Sequence, residues 1–360
     1  MSSTFSPAIT VITSTYNWPS VLREAIKTAL DQTFSNFEHL IIGDGCTDET
    51  EEVVREFNDD RIVWYNLPEN TGNQSGVNKV ALEMASADWI AYLNHDDLWF
   101  PDHLEILVNA FRARDLDMIS SLTLSIPPYD RDERSIIGLP KLDSNGQITT
   151  NCMTTNVLHT KEAAISAGGW IDWRETTEIP TKNFFRRIRN LRGAYAVVNE
   201  ITSLKFSSGS RKNCYREKSA DEQIFYAKKI SEEQDFRYRE CMKVLAFGGL
   251  NIPPPKIKRP PKPENLPNGW KIEQLRVNHR GLKPMLHGFD AFQDAELICT
   301  EQNWIEITED NRTLILNDPS HRPNPAGVGK KNGWKYFIKL FMPPILVEAI
   351  KKIRILVKGL

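Results

Sequence analysis

The sequence predicts an α/β protein: an open, mainly parallel sheet flanked by helices. Two observations lead there. Apolar, β-branched runs of strand length alternate with amphipathic helical segments through roughly the first 115 residues. Strand–helix alternation at this spacing is the pattern of a sheet covered on both faces. The polar stretches TSTYN, GDGCTD and NHDD fall just after the first, second and fourth apolar runs. These are strand carboxyl ends, where open α/β sheets bind ligands.

Taken in order, AITVITSTYN reads as a buried strand ending in a polar loop. PSVLREAIKTALDQT follows with helical spacing, since Val21, Leu22, Ala25, Ile26, Ala29 and Leu30 share a face. Pro19 sits near its start, where the missing N–H is harmless. FEHLIIGDG is a second strand, stopped by Gly-Asp-Gly. TDETEEVVREFN is a second helix, capped by Thr47 or Asp48, with acids in its first turn to match the helix dipole. RIVWYNL is a strand, SGVNKVALEMASA a helix, DWIAYL a strand, and PDHLEILVNAFRAR a helix. The pattern then weakens. DMISSLTLSI reads as a strand, and TTNVLHTKEAAISAGGW as a strand and a short helix. KNFFRRIRNL is a basic helix, AYAVVNEITSLKF a strand, and DEQIFYAKKISEEQDFRYRECMKVL helical. NIPPPKIKRPPKPENLPNG is an extended Pro-rich linker. GWKIEQLRV through TLILND reads either as a small module of short strands or as a loosely packed extension.

Composition narrows the class. The chain has 360 residues, 40% hydrophobic and 26% charged. No apolar run reaches the roughly 18–20 residues that span a bilayer. The N-terminus lacks a basic or apolar leader, and the five cysteines form no CxxC pair. Both point to a reducing, cytoplasmic setting without a structural zinc site. Residues 1–110 carry 18 Asp/Glu against 5 Lys/Arg, leaving the remainder strongly basic. From Lys330 onward there are 8 Lys/Arg and one acid, Glu348. Leu346, Ile350, Ile353 and Val357 form a stripe there, so a basic amphipathic helix is expected against an anionic membrane surface.

The pair Asp96-Asp97 poses the chemical question. One Asp at a strand end is a turn or cap residue. Two adjacent like charges in a partly dry site raise a pKa or recruit a cation. Mg²⁺ or Mn²⁺ would resolve the conflict, taking oxygen ligands from carboxylates and substrate phosphates. Asp44, between two glycines, could accept the imide N–H of a base, and Tyr16 offers a ring for stacking.

ITVITSTYN, AIKTALDQTFSNFEHLIIGDGCTDET and ENTGNQSGVNKVALEMASADWIAYLNHDDLWFPDHL closely resemble family-2 glycosyltransferases. These are nucleotide-sugar-dependent, metal-using, inverting enzymes of the A-type glycosyltransferase fold. The resemblance implies that Thr13, Ser14, Thr15 and Tyr16 line the nucleoside pocket and that Asp44 reads the base. It implies that Asp96, with Asp97, holds Mn²⁺ or Mg²⁺, and that His95 touches the ribose or a phosphate. The acidic motif of many relatives is Asp-x-Asp-Asp; here Asn94 stands first, and Gly43 replaces another common Asp. VLHTKEAAISAGGWID is similar to the segment preceding the catalytic base, and that base position falls on Thr181 or Lys182. Glu178, or Glu175, is the nearby carboxylate expected to substitute.

The resulting organisation has a nucleotide-sugar-binding half over 1–115 and an acceptor half over 116–250. A linker (251–268), an extension (269–328) and the basic helix (329–360) follow. The expected activity is metal-dependent transfer with inversion from a UDP-sugar to a saccharide or lipid-linked acceptor, in surface polysaccharide or glycolipid synthesis. The expected location is cytoplasmic and peripheral on the membrane. The alternative is a non-catalytic nucleotide-sugar-binding protein whose base was lost. No G-x-G-x-x-G follows the first strand, which argues against a dinucleotide enzyme, and no basic, aromatic-interleaved stripe suggests a nucleic-acid partner.

Overall fold

The structure, a computed structural model, describes residues 6–128, 134–142, 148–244, 267–286 and 313–316. Strands and helices alternate as β1 (Ile9–Thr15), α1 (Pro19–Leu30), β2 (Phe37–Gly43), α2 (Thr50–Arg55), β3 (Ile62–Asn66), α3 (Gln74–Met84) and β4 (Trp89–Tyr92). The short β5 (Leu98–Trp99), α4 (His103–Arg112) and β6 (Met118–Ser125) follow. After β7 (Ser135–Ile137) and the hairpin β8 (Pro140–Leu142) and β9 (Ile148–Thr150) come β10 (Val157–Thr160), α5 (Lys161–Ser166), α6 (Pro180–Arg192) and β11 (Tyr195–Lys205). The last described elements are α7 (Cys214–Glu217), α8 (Asp221–Glu232), α9 (Phe236–Lys243), α10 (Trp270–Gln274) and β12 (Thr313–Leu316).

The main sheet runs β12-β11-β6-β10-β4-β1-β2-β3. Its first half is parallel throughout, with β1 between β2 and β4. The second half is mixed, because β10 inserts antiparallel between β4 and β6. β10 follows β6 through a hairpin-bearing connection whose described residues hold no crossover helix, and a parallel pair needs such a crossover. The sheet is mostly parallel and flanked by helices, as the sequence predicts.

Side-chain alternation explains the two layers. Ile90 and Tyr92 face one way, toward α3, α5 and α6 through Val77, Ala81, Ala164, Phe184 and Phe185. Ala91 and Leu93 face the other, toward α1 and α4 through Ala25, Ala29, Leu104 and Leu107. A strand buried on both faces needs a near-continuous apolar run, and β4 has one.

Three details differ from the sequence reading. The long helix expected from Asp221 breaks into α8 and α9 around Glu233–Asp235. GWKIEQLRV is helical, α10 continuing into a widened π turn over Leu275–His279. TLIL does form a strand, but it pairs with β11 in the main sheet. The basic C-terminal helix and nearly all of the Pro-rich linker lie outside the described residues. Among the described residues no helix is long and apolar enough to cross a membrane.

Candidate active site

Three loops leave the carboxyl edge of β1, β2 and β4, and short polar contacts stitch them together. The Asp44 amide donates to the Thr15 carbonyl (2.8 Å), joining the first two loops. Thr15 Oγ1 is hydrogen-bonded to His95 Nδ1 (2.9 Å), joining the first to the third. Gly45 has φ +68°, and a Cβ there would lie 2.7 Å from the Asn70 amide nitrogen. Only glycine meets both demands, which fixes the GDG turn.

Asp44 is buried, and its carboxylate accepts the Thr71 amide (2.6 Å) and the Gly72 amide (3.3 Å). Burial pushes its carboxyl up from the usual range, against the pull of those amides. The residue expected to read a base thus also holds the loop leading into α3. Thr13 has no exposed surface and is bonded to His39 Nε2 (2.9 Å), inside the sheet. Ser14 and Tyr16 are half-buried at the strand end.

His95 is enclosed. Its Nε2 meets the Tyr215 hydroxyl at 3.1 Å, and Trp18 packs edge-on against both rings. Burial lowers its pKa to about 4, so it is a neutral imidazole at physiological pH.

The adjacent acids divide sharply. Asp97 is fully buried, and its oxygens accept from Lys205 Nζ (3.0 and 3.1 Å), the Phe206 amide (3.0 Å) and Asn94 Nδ2 (2.7 Å). Burial pushes its carboxyl up, to about 6, and these donors oppose that shift. Asp96 is nearly as buried, yet among the described residues nothing donates a hydrogen bond to its carboxylate; Lys205 Nζ is 3.9 Å away. Burial acts to raise its carboxyl, but Lys205, with smaller contributions from His95, Arg280 and Arg211, outweighs it, and the group titrates below its ordinary range. A buried carboxylate kept ionised without a donor is set up to meet a cation from outside the chain.

This bears on the expected divalent ion. Among the described residues no three His, Cys, Asp or Glu side chains converge into a metal-binding group. Asp97, expected as a ligand, is engaged on both oxygens. Asn94 donates to it while its Oδ1 accepts from Thr154 Oγ1 (2.6 Å). Asp96 fits as a single hard oxygen ligand, which suffices where substrate phosphates supply the rest.

Toward the acceptor side, the start of α6 lies beside the loop that Asp44 holds. Trp173 Nε1 donates to the Thr71 carbonyl (2.9 Å), and Thr181 Oγ1 accepts from Gln74 Nε2 (2.9 Å). Glu178 Oε2 accepts from Asn183 Nδ2 (2.8 Å) and Arg186 (2.7 Å), and Arg186 holds its carboxyl below the usual range. Glu175 is exposed, and Lys182 carries no carboxylate. His159 is bonded to the Tyr92 hydroxyl inside the core.

Sequence reasoning missed Lys205, Tyr215, Arg276 and Arg280. Lys205 had a signal, a lone ammonium in the apolar run ITSLKF. The others come from segments with no motif.

The open sheet with its polar loops gathered at one edge has the layout of a ligand-binding α/β protein. Residues 10–158 match the family Glycosyl transferase family 2. It is 33% identical over 113 residues to an uncharacterized glycosyltransferase of Rickettsia typhi, covering 31% of this chain and 35% of that one. It is 33% identical over 101 residues to WfgD of Escherichia coli, named a UDP-Glc:alpha-D-GlcNAc-diphosphoundecaprenol beta-1,3-glucosyltransferase, covering 28% and 40%. The chain thus spans 35–40% of the length of these relatives. The structure of S. aureus TarS 1–349 in complex with UDP-GlcNAc superposes with a TM-score of 0.47 at 14% identity, covering 75% of this chain and 80% of that one.

Proposed function

We propose that this protein is a glycosyltransferase that moves a sugar from a UDP-sugar to a saccharide or lipid-linked acceptor, with inversion, in surface polysaccharide or glycolipid synthesis. The observation that carries the reading is Asp96, buried, ionised and without a donor, at the edge where the three loops meet. The name of WfgD supports the donor and acceptor classes, since it pairs a UDP-sugar with a diphosphoundecaprenol-linked saccharide.

In this reading Thr15, Tyr16 and Asp44 bound the nucleoside side, with Ser14 beside them. Asp96 would hold Mn²⁺ or Mg²⁺ together with the donor diphosphate. The ion would act as a Lewis acid on the leaving group. Asp97 and Lys205 hold the Asp96 loop in place. His95, neutral and bonded on both nitrogens, positions Thr15 and Tyr215. Glu178 is the base assigned to the acceptor hydroxyl. Arg186 keeps it ionised, and Oε1 accepts no hydrogen bond within the described residues. A lipid-linked acceptor gives the basic segment 329–360 a membrane surface to meet, at the cytoplasmic face.

One observation favours a second reading. Thr181, at the position where relatives place the base, is bonded to Gln74. A nucleotide-sugar-binding protein without turnover would have this arrangement.

The test is release of UDP from a panel of UDP-sugars with Mn²⁺ and a lipid extract, comparing wild type with Asp96→Ala and Glu178→Ala. Turnover that needs Mn²⁺ and Asp96 is expected, with loss in Glu178→Ala. Metal-dependent UDP binding with no turnover for any donor would favour the second reading. UDP affinity unchanged in Asp96→Ala would sink the assignment of Asp96.

A further inference from the structure

We propose that Arg280, far beyond the region matched by the family, binds the diphosphate of the nucleotide donor. The inference rests on the nucleotide-sugar reading above and adds a residue to its site.

The segment 267–286 crosses the carboxyl edge and is anchored at both ends. Gly269 (φ +75°) lies against the Trp173 ring, where a Cβ would be 3.1 Å from its carbons. Arg276 donates to the Gly72 carbonyl, in the loop that Asp44 holds. Glu273, fully buried, accepts the Met285 and Leu286 amides and closes the segment on itself. At the far end Arg216 Nε donates to the Gly281 carbonyl (2.7 Å). Gly281 has φ +73°, and a Cβ there would lie 3.0 Å from Asn213 Oδ1 and Arg216 Nε. The chain is thus forced to turn immediately after Arg280, at the end of a π turn, a feature frequent at functional sites.

The anchors orient the Arg280 side chain. Its Nε donates to Ser208 Oγ (3.1 Å), and its guanidinium lies 5.7 Å from the centre of the Tyr215 ring. Tyr215 is in turn bonded to His95, next to Asp96. The cations to compare are Lys205, 3.9 Å from the Asp96 carboxylate, Arg211 and Arg280. Lys205 is committed to Asp97, and Arg211 forms a two-point pair with Glu222 at 2.6 and 2.9 Å. Arg280 makes one side-chain hydrogen bond, through Nε, and its two terminal nitrogens have no acceptor among the described residues. A guanidinium aimed by Nε with two free parallel donors matches two phosphate oxygens, a geometry a lysine cannot offer.

The experiment is titration calorimetry of the full chain with UDP, UMP and uridine, with and without Mn²⁺, for wild type, Arg280→Ala, Arg280→Lys and Ser208→Ala. Wild type is expected to bind UDP more tightly than uridine. Arg280→Ala should weaken UDP by about tenfold or more, as expected for loss of a charge-assisted bond, and leave uridine unchanged. Arg280→Lys should recover part of the loss, and Ser208→Ala should show a smaller loss confined to the phosphate-bearing ligands. Thermal unfolding of each variant checks folding, and the lysine and Ser208 variants keep the test open should Arg280→Ala not fold. Wild type that binds UDP with unchanged affinity in the Arg280 variants overturns this inference alone. Wild type that binds neither UDP nor uridine overturns the nucleotide reading and this inference with it.

Discussion

The loop around Asp96 and the helix α6 are both rich in charge, and they use it in opposite ways. On α6 the arginines are absorbed by the protein itself. Arg186 pairs with Glu178, Arg187 donates to the Ala167 carbonyl, Arg189 to the Thr150 carbonyl (2.9 Å), and Arg192 to Asp115 and Asp117. Around Asp96 the charges only partly cancel. Asp97 is satisfied on both oxygens, while among the described residues Asp96 and the outer nitrogens of Arg280 are not. A run of charge in sequence therefore says little about ligands, and most of α6 is bracing. What marks a site is charge that the fold buries and then leaves without a partner.

The comparison is broken most directly at the acid pair. Asp97→Ala leaves the Lys205 ammonium buried beside a donorless Asp96, and is expected to cost about 3–5 kcal/mol of stability. Asp96→Ala removes a carboxylate to which no described residue donates, and should change stability by less than about 1 kcal/mol. Urea unfolding of both variants checks this. Equal losses would mean that the two acids form one structural unit, and the distinction between them would fail.

A second effect comes from the buried histidines. Burial lowers His39 and His103 to about 3, and His95 and His159 to about 4. Their folded pKa values are depressed, so the unfolded chain takes up protons first as pH falls. Stability is full above the ordinary histidine value near 6.5 and declines as pH drops, down to about 4 for His95 and His159 and about 3 for His39 and His103. Each histidine contributes up to about 1.4 kcal/mol per pH unit in that window. Two of the four, His39 and His95, are hydrogen-bonded to β1, so the β1 part of the sheet shares this acid sensitivity. Denaturant unfolding at several pH values from 7.5 to 5 measures the slope. A flat profile would overturn the neutral-imidazole description.

How much of this was legible in the sequence follows from where the contacts come from. The β1–β4 unit was readable because each strand and helix is dictated by its own apolar period, and the GDG turn by glycine. The position of β10 was not, because nothing local distinguishes a strand that inserts antiparallel. Asp96 and Asp97 are neighbours with the same side chain, so their separate roles depend on Lys205, 108 residues beyond Asp97. Tyr215 reaches His95 across 120 residues. Such partners are chosen by tertiary packing, and no local pattern announces them. The helical reading of GWKIEQLRV was missed for a similar reason, since its five-residue helix is held by burial of Ile272, Glu273 and Gln274 rather than by its own periodicity.

The smallest effect on stability is expected at the Glu178–Arg186 pair, and it sharpens the role of α6. Both side chains are substantially exposed, so Arg186→Ala should cost less than about 1 kcal/mol. Its effect on titration has a definite sign. The Arg186 hydrogen bond is the largest cause holding the Glu178 carboxyl below its usual value. Without it the folded pKa rises toward the ordinary glutamate value. If Glu178 takes the acceptor proton, activity requires its ionised form. The acid limb of the kcat/KM profile must then move to higher pH in Arg186→Ala, with UDP affinity unchanged. A purely bracing pair would lower stability by the same small amount and leave that limb in place, which would return α6 wholly to the structural side of the comparison.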